Sequence, residues 1–151
     1  MNYEVVNLEE KIVVGSSVIT TNKDGKAIKD IGQMWQDFIY NNKYAEIENL
    51  IDGRGIGLYT DYEGDATKPY RFMCCLEVSK YSNANFEVRK IEQGKYAKFV
   101  IKGDLVTEVG KAWNEIWKMD LKRKYLSDFE VYNNETNDMN NQTVEIYISI
   151  E

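Results

Sequence analysis

The chain contains no histidine, a single proline, two cysteines and no long apolar run among its 151 residues. Without histidine it lacks the side chain that most often carries protons near neutral pH and most often ligates metals, so catalysis here would rest on carboxylates or tyrosines. Cys74 and Cys75 are adjacent. On a strand they point to opposite faces, and nothing else completes a zinc set or a CxxC pair, so they read as ordinary reduced residues and no metal or cofactor is expected. No stretch approaches the length of a membrane span, and "MNYEVVNLEEKIVV" has no signal-peptide core, so a cytoplasmic protein without a membrane partner is expected. Basic charge is also short. The formal net charge is −6, with Lys and Arg scattered among Asp and Glu. This argues against direct nucleic-acid binding, which needs a basic stripe.

What the chain does have is an internal echo. "YEVVNLEEKIVV" from Tyr3 returns as "FEVRKIEQGKYAKF" from Phe86, "GQMWQDF" from Gly32 as "GKAWNEI" from Gly110, and "LYTDYEG" from Leu58 as "VYNNETN" from Val131. These matches pair Trp35 with Trp113 and Tyr59 with Tyr132. Three matches in one order, about 80 residues apart, define two supersecondary units, roughly 1–80 and 84–151, packed with pseudo-two-fold symmetry into a single domain, 1–151.

Each unit changes periodicity in the same order. Glu4 to Leu8 and Lys11 to Thr21, rich in Val, Ile and Thr, read as a hairpin. A helix follows, with Ile28, Ile31, Trp35 and Phe38 on one stripe and Asp24 as a candidate cap. "IGLYTDY" and "YRFMCCLEV" then read as two strands. The second unit repeats this with strands near Phe86 to Glu92 and Lys95 to Lys102, and a helix from about Leu105 to Lys122. Val106, Val109, Trp113 and Ile116 form its stripe, and strands follow at Phe129 to Asn133 and Val144 to Ile150, joined by a long asparagine-rich loop. The expected fold class is α+β: duplicated strand-helix-strand-strand units forming a largely antiparallel concave sheet with two main helices. "GRGIG" at 53–57 leads into a strand and reads as a turn, not a phosphate loop.

In the last strand Ile146, Ile148 and Ile150 alternate with Glu145, Tyr147 and Ser149, so the isoleucines belong beneath the helices. Pairing with the preceding strand can set Glu130, Tyr132, Glu145 and Tyr147 on one surface, to which repeat alignment adds Tyr59, Arg71 and Met73. Tyr40, Tyr96 and Trp117 are candidates for its edges. Aromatic faces attract a cation, contributing about 0.5 to 2 kcal/mol each, and a carboxylate in the same desolvated pocket supplies countercharge. The plainer reading is a cross-strand ion pair between Glu130 and a lysine or arginine.

The duplicated layout, the "GKY" turn at 94–96, the tryptophan-bearing second helix, "DFEVY" at 128–132 and "VEIYISI" at 144–150 resemble the GyrI-like small-molecule-binding family. This is also the effector-binding domain of AraC-type and MerR-type multidrug-sensing regulators. The resemblance implies a concave sheet lined by aromatics, with Glu130 at its centre and Tyr147 as a pocket tyrosine beside Glu145. Ligand contacts would come from Tyr132, Tyr59, Met73, Trp113 and Trp117. It implies a stand-alone drug-sequestering or transcription-related sensor module for lipophilic or aromatic cations. Two alternatives stay open: a hydrolase of strained cyclopropane-type electrophiles with Glu130 as general base, and a gyrase-inhibitor-like protein acting on a protein partner.

Overall fold

In a computed structural model, residues 1–81, 85–133, 138 and 140–151 are described. Eight strands and two principal helices alternate as β1 (Glu4–Leu8), β2 (Lys11–Thr20), α1 (Lys26–Tyr40), β3 (Gly55–Thr60), β4 (Tyr70–Val78), β5 (Glu87–Ile91), β6 (Gly94–Gly103), α2 (Leu105–Lys118), β7 (Ser127–Tyr132) and β8 (Gln142–Ser149). The strands form one antiparallel sheet in the order β1-β6-β8-β7-β3-β4-β2-β5. Exchanging the two repeat units reverses this order onto itself, so the pseudo-two-fold passes between β3 and β7. The α+β class and the duplication are those expected from the sequence.

The expected hairpin between β1 and β2 does not form. β1 pairs with β6 and β2 with β5, so each unit lends its first strand to the other. The cause is the sheet's curvature. Leu8 and Lys11 are three Cα steps apart, at most about 11 Å, yet β1 is one edge of the sheet and β2 lies beside the other. The sheet must therefore curl until its edges approach. Its enclosed face confirms this, because Val13 and Ile91 from one side and Val6, Leu8 and Tyr96 from the other join one cluster with Leu58, Met73 and Phe129.

The outer face carries the helices. Ala27 and Phe38 of α1 are buried against Val14, Phe72, Cys74 and Leu76, while Ala112 and Ile116 of α2 are buried against Phe99, Ile146 and Ile148. Burial of such side chains contributes about 1.5–3 kcal/mol each for the larger ones. Ile28, expected on the α1 stripe, is 83% exposed; Ala27, Ile31, Met34, Trp35 and Phe38 form the stripe instead. Asp24 does not cap α1, since it sits at φ 56° in a 3-10 turn and Gly25 takes the cap position. α2 begins with Asp104 accepting from the Thr107 amide and ends at Lys118, four residues earlier than expected, because Met119 turns to extended backbone. The side chains of Cys74 and Cys75 point to opposite faces, one into each core. The asparagine-rich connection between β7 and β8 lies partly outside the described residues.

Candidate functional site

α1 lies over β2 and β4, and α2 over β6 and β8. The two central strands, β3 and β7, are left between the helices as the floor of a groove. There Glu130 stands directly opposite Gly57. Because Tyr59 and Tyr132 are repeat mates, Gly57 and Glu130 are mates too, and the pseudo-two-fold runs through this pair. Only one side chain fits on the axis. A Cβ on Gly57 would come within 2.9 Å of Glu130 Oε1 and 3.2 Å of both Phe72 and Trp35.

Glu130 is 2% exposed. Its Oε2 accepts from Trp113 Nε1 at 2.6 Å and from the Tyr59 hydroxyl at 3.2 Å, and its Oε1 accepts from the Tyr132 hydroxyl at 2.8 Å. Burial pushes the carboxyl above the ordinary glutamate range, while the indole and the two phenols oppose that shift by bonding to the charged form. The Tyr59 and Tyr132 phenols are themselves driven well above 10, by burial first and by Glu130 second. They remain protonated donors at neutral pH. Among the described residues no lysine or arginine forms an ion pair with Glu130, so the plainer cross-strand pairing is absent.

Aromatic rings enclose this carboxylate. Trp35 reaches in from α1 and meets the Tyr132 ring edge-on at 5.2 Å, and Trp113 from α2 meets the Tyr59 ring at 5.1 Å. Both indoles remain partly exposed and together roof the floor. Trp35 and Gly57 were not among the residues the sequence singled out for the site. Each was nevertheless legible in the repeat, as the mate of Trp113 and of Glu130.

The other candidates separate from this centre. β7 and β8 pair with Phe129 opposite Tyr147 and Glu130 opposite Ile146. Glu130 and Tyr132 therefore share the outer face with the isoleucines, and Glu145 and Tyr147 lie on the reverse, so the expected four-residue surface does not exist. Nor is Glu130 on the enclosed, concave face. Tyr147 stacks on Phe129 at 4.6 Å and donates to Glu145 Oε1 at 2.7 Å. Glu145 in turn accepts from Asn133 and lies 4.0 Å from the Arg54 guanidinium; burial alone would raise its carboxyl, but the bonds from Tyr147 and Asn133, with the charges of Lys98 and Arg54, hold it low. Met73 is fully buried in the enclosed core. Arg71 pairs with Asp61 and Glu87, Tyr96 is buried against Ser127, and Tyr40 is exposed at the end of α1.

Beside the groove a cleft of about 560 Å³ opens between the C-terminal end of α2 and the β3–β4 loop. Trp117, half exposed, forms part of its wall and contacts Trp113 at 6.4 Å between ring centroids. Arg123 and Tyr125 also line it. The Arg123 guanidinium is bound to Asp128, which is fully buried and also accepts from Tyr62 and from the Ser149 amide and hydroxyl. Among the described residues no helix is long and apolar enough to cross a membrane, and no cluster of potential metal ligands occurs.

The model of Cass2, described as integron-associated effector binding protein, matches residues 4–150. A search of curated proteins gives no significant match. Among solved structures, an integron cassette protein from the mobile metagenome of Vibrio cholerae is 29% identical, with a TM-score of 0.79 over 99% of this chain and 95% of that one. SAV2435, solved bound to tetraphenylphosphonium, has a TM-score of 0.82 at 18% identity, over 100% and 94% of the two chains. The EcmrR C-terminal domain has a TM-score of 0.61 at 20% identity, over 100% and 99%. With its GyrI-like duplicated architecture, the chain belongs to the Cass2 family of integron-associated effector-binding proteins.

Proposed function

We propose that this protein captures lipophilic aromatic cations in the groove between α1 and α2, with Glu130 as countercharge and Trp35, Trp113, Tyr59 and Tyr132 as the aromatic walls. The observation that carries this reading is a buried carboxylate held, among the described residues, only by neutral donors. Three such bonds fix its position and leave its negative charge uncompensated. A soft cation sliding between the indoles supplies the missing charge and keeps ring contacts, whereas a hydrated metal ion or ammonium would have to give up strong hydration. The relative SAV2435 was solved with a cation of this type. The protein would thus serve as a drug-sequestering or sensor module.

The test is calorimetric titration of the wild type and Glu130→Gln with tetraphenylphosphonium and with neutral triphenylphosphine oxide. Removing one partner of a desolvated charge pair costs about 2–5 kcal/mol, so the cation should lose roughly thirtyfold or more in affinity. The neutral ligand should change little. Equal losses for both ligands would sink the countercharge role.

A further inference from the structure

We infer that the cleft beside α2 is a second compartment of the same binding site, which takes an uncharged, ring-bearing arm of a ligand whose positive centre sits at Glu130. The inference rests on the cation reading of Glu130 and adds to it a preference for elongated cations.

Two observations carry it. The first is continuity. Trp117 forms the cleft wall and touches Trp113, the residue whose indole holds the Glu130 carboxylate. From Tyr125, also in the lining, Tyr62 is met at 5.6 Å, Tyr62 meets Tyr70 at 5.7 Å, and Tyr70 meets Tyr59 at 5.9 Å, whose hydroxyl donates to Glu130. Ring contacts thus connect the cleft wall to the carboxylate by two routes.

The second is the cleft's own chemistry. At about 560 Å³ it falls within the range of small-molecule sites. Its apolar wall comes from Trp117, Met119 and Leu121. Asp65, Asp120, Lys122 and Arg123 also line it, but the Arg123 charge is balanced by buried Asp128 and Lys122 is exposed to solvent. Among the described residues that line it no buried, uncompensated charge remains to anchor an ion; the buried Arg123 Nε, which has no hydrogen-bond partner, offers one donor. An apolar or aromatic group fits, and its tether to a cation at Glu130 would run past Trp113.

The experiment compares methyltriphenylphosphonium with a triphenylphosphonium bearing a phenylbutyl arm, titrated against the wild type, Trp117→Ala and Thr67→Phe. Thr67 is exposed on the cleft's loop wall, so the added ring narrows the cleft without entering the core. The wild type should favour the armed cation by about tenfold or more, the value of burying one further ring. In both variants this ratio should fall toward one, and Thr67→Phe should bind the short cation as the wild type does. A ratio near one in the wild type, with both cations bound, would overturn the two-compartment inference and leave the Glu130 reading standing. A ratio that survives both variants would also overturn it. Binding of neither cation to the wild type would remove the Glu130 reading and this inference together.

Discussion

Gly57→Ala adds one methyl group at the symmetry axis, where the structure sets its consequence. The new Cβ would lie 2.9 Å from Glu130 Oε1 and 3.2 Å from atoms of Phe72 and Trp35, against about 3.5–4.0 Å for relaxed carbon contacts. Phe72 is fully buried between the Trp35 and Tyr59 rings, and Glu130 is tied by three hydrogen bonds. Of the three neighbours only Trp35, partly exposed, can retreat. Overpacking of this kind costs about 1–3 kcal/mol, and the lower chain entropy of alanine in the unfolded state offsets about 0.4–1 kcal/mol. The net expectation is a loss of about 1–2 kcal/mol, or a fall in Tm of roughly 2–8 °C for a chain of this size. Gly110→Ala is the control, because the same methyl group on α2 meets nothing within 4 Å, and it should gain about 0.5–1 kcal/mol. Thermal unfolding followed by circular dichroism reads both. A Gly57→Ala protein as stable as the wild type would refute the claim that the axis holds only one side chain.

Glu130→Gln should fold within about 1 kcal/mol of wild type, since the amide oxygen can keep the Trp113 and Tyr59 donors and the Tyr132 hydroxyl can accept from the amide nitrogen. Glu130→Ala strands three buried donors and should cost about 3 kcal/mol or more in urea unfolding. The folded-state pKa of Glu130 lies above its ordinary value of 4.5, so the native state binds more protons than the unfolded one between those two values. Wild type should therefore lose stability relative to Glu130→Gln as pH rises from about 4 through the raised pKa, then hold a constant difference. A Tm difference flat from pH 4 to 8 would contradict the burial argument. Arg123→Met leaves Asp128 buried without its cation and should cost about 3–5 kcal/mol, measured by denaturant unfolding. Cys74 and Cys75 are fully buried and their thiols are pushed far up by that burial, so neither should react with Ellman's reagent until the protein unfolds.

The duplication was legible in the sequence because each unit must bury the same faces, so its apolar periods and its tryptophan recur at matched places. That was enough for eight strands, two helices and the pairs Trp35 with Trp113 and Tyr59 with Tyr132. Alternation alone left Glu130 as one of four polar and aromatic residues, with an ion pair as its plainer reading; the resemblance to the GyrI-like family set it apart. The partnering of strands was not legible. β1 and β2 look like a hairpin locally, yet the curl of the whole sheet gives β1 to β6 and β5 to β2. Alternation along β7 and β8 likewise says which residues share a face within each strand, but not which faces coincide across the pair. The register that sets Phe129 against Tyr147 decides it, and a shift of one residue would have joined Glu130 to Tyr147 instead. Sequence alone thus determined the parts and their duplication. Tertiary packing decided that the acid faces two indoles between the helices and that its symmetry mate had to be glycine, because two side chains cannot occupy one axis.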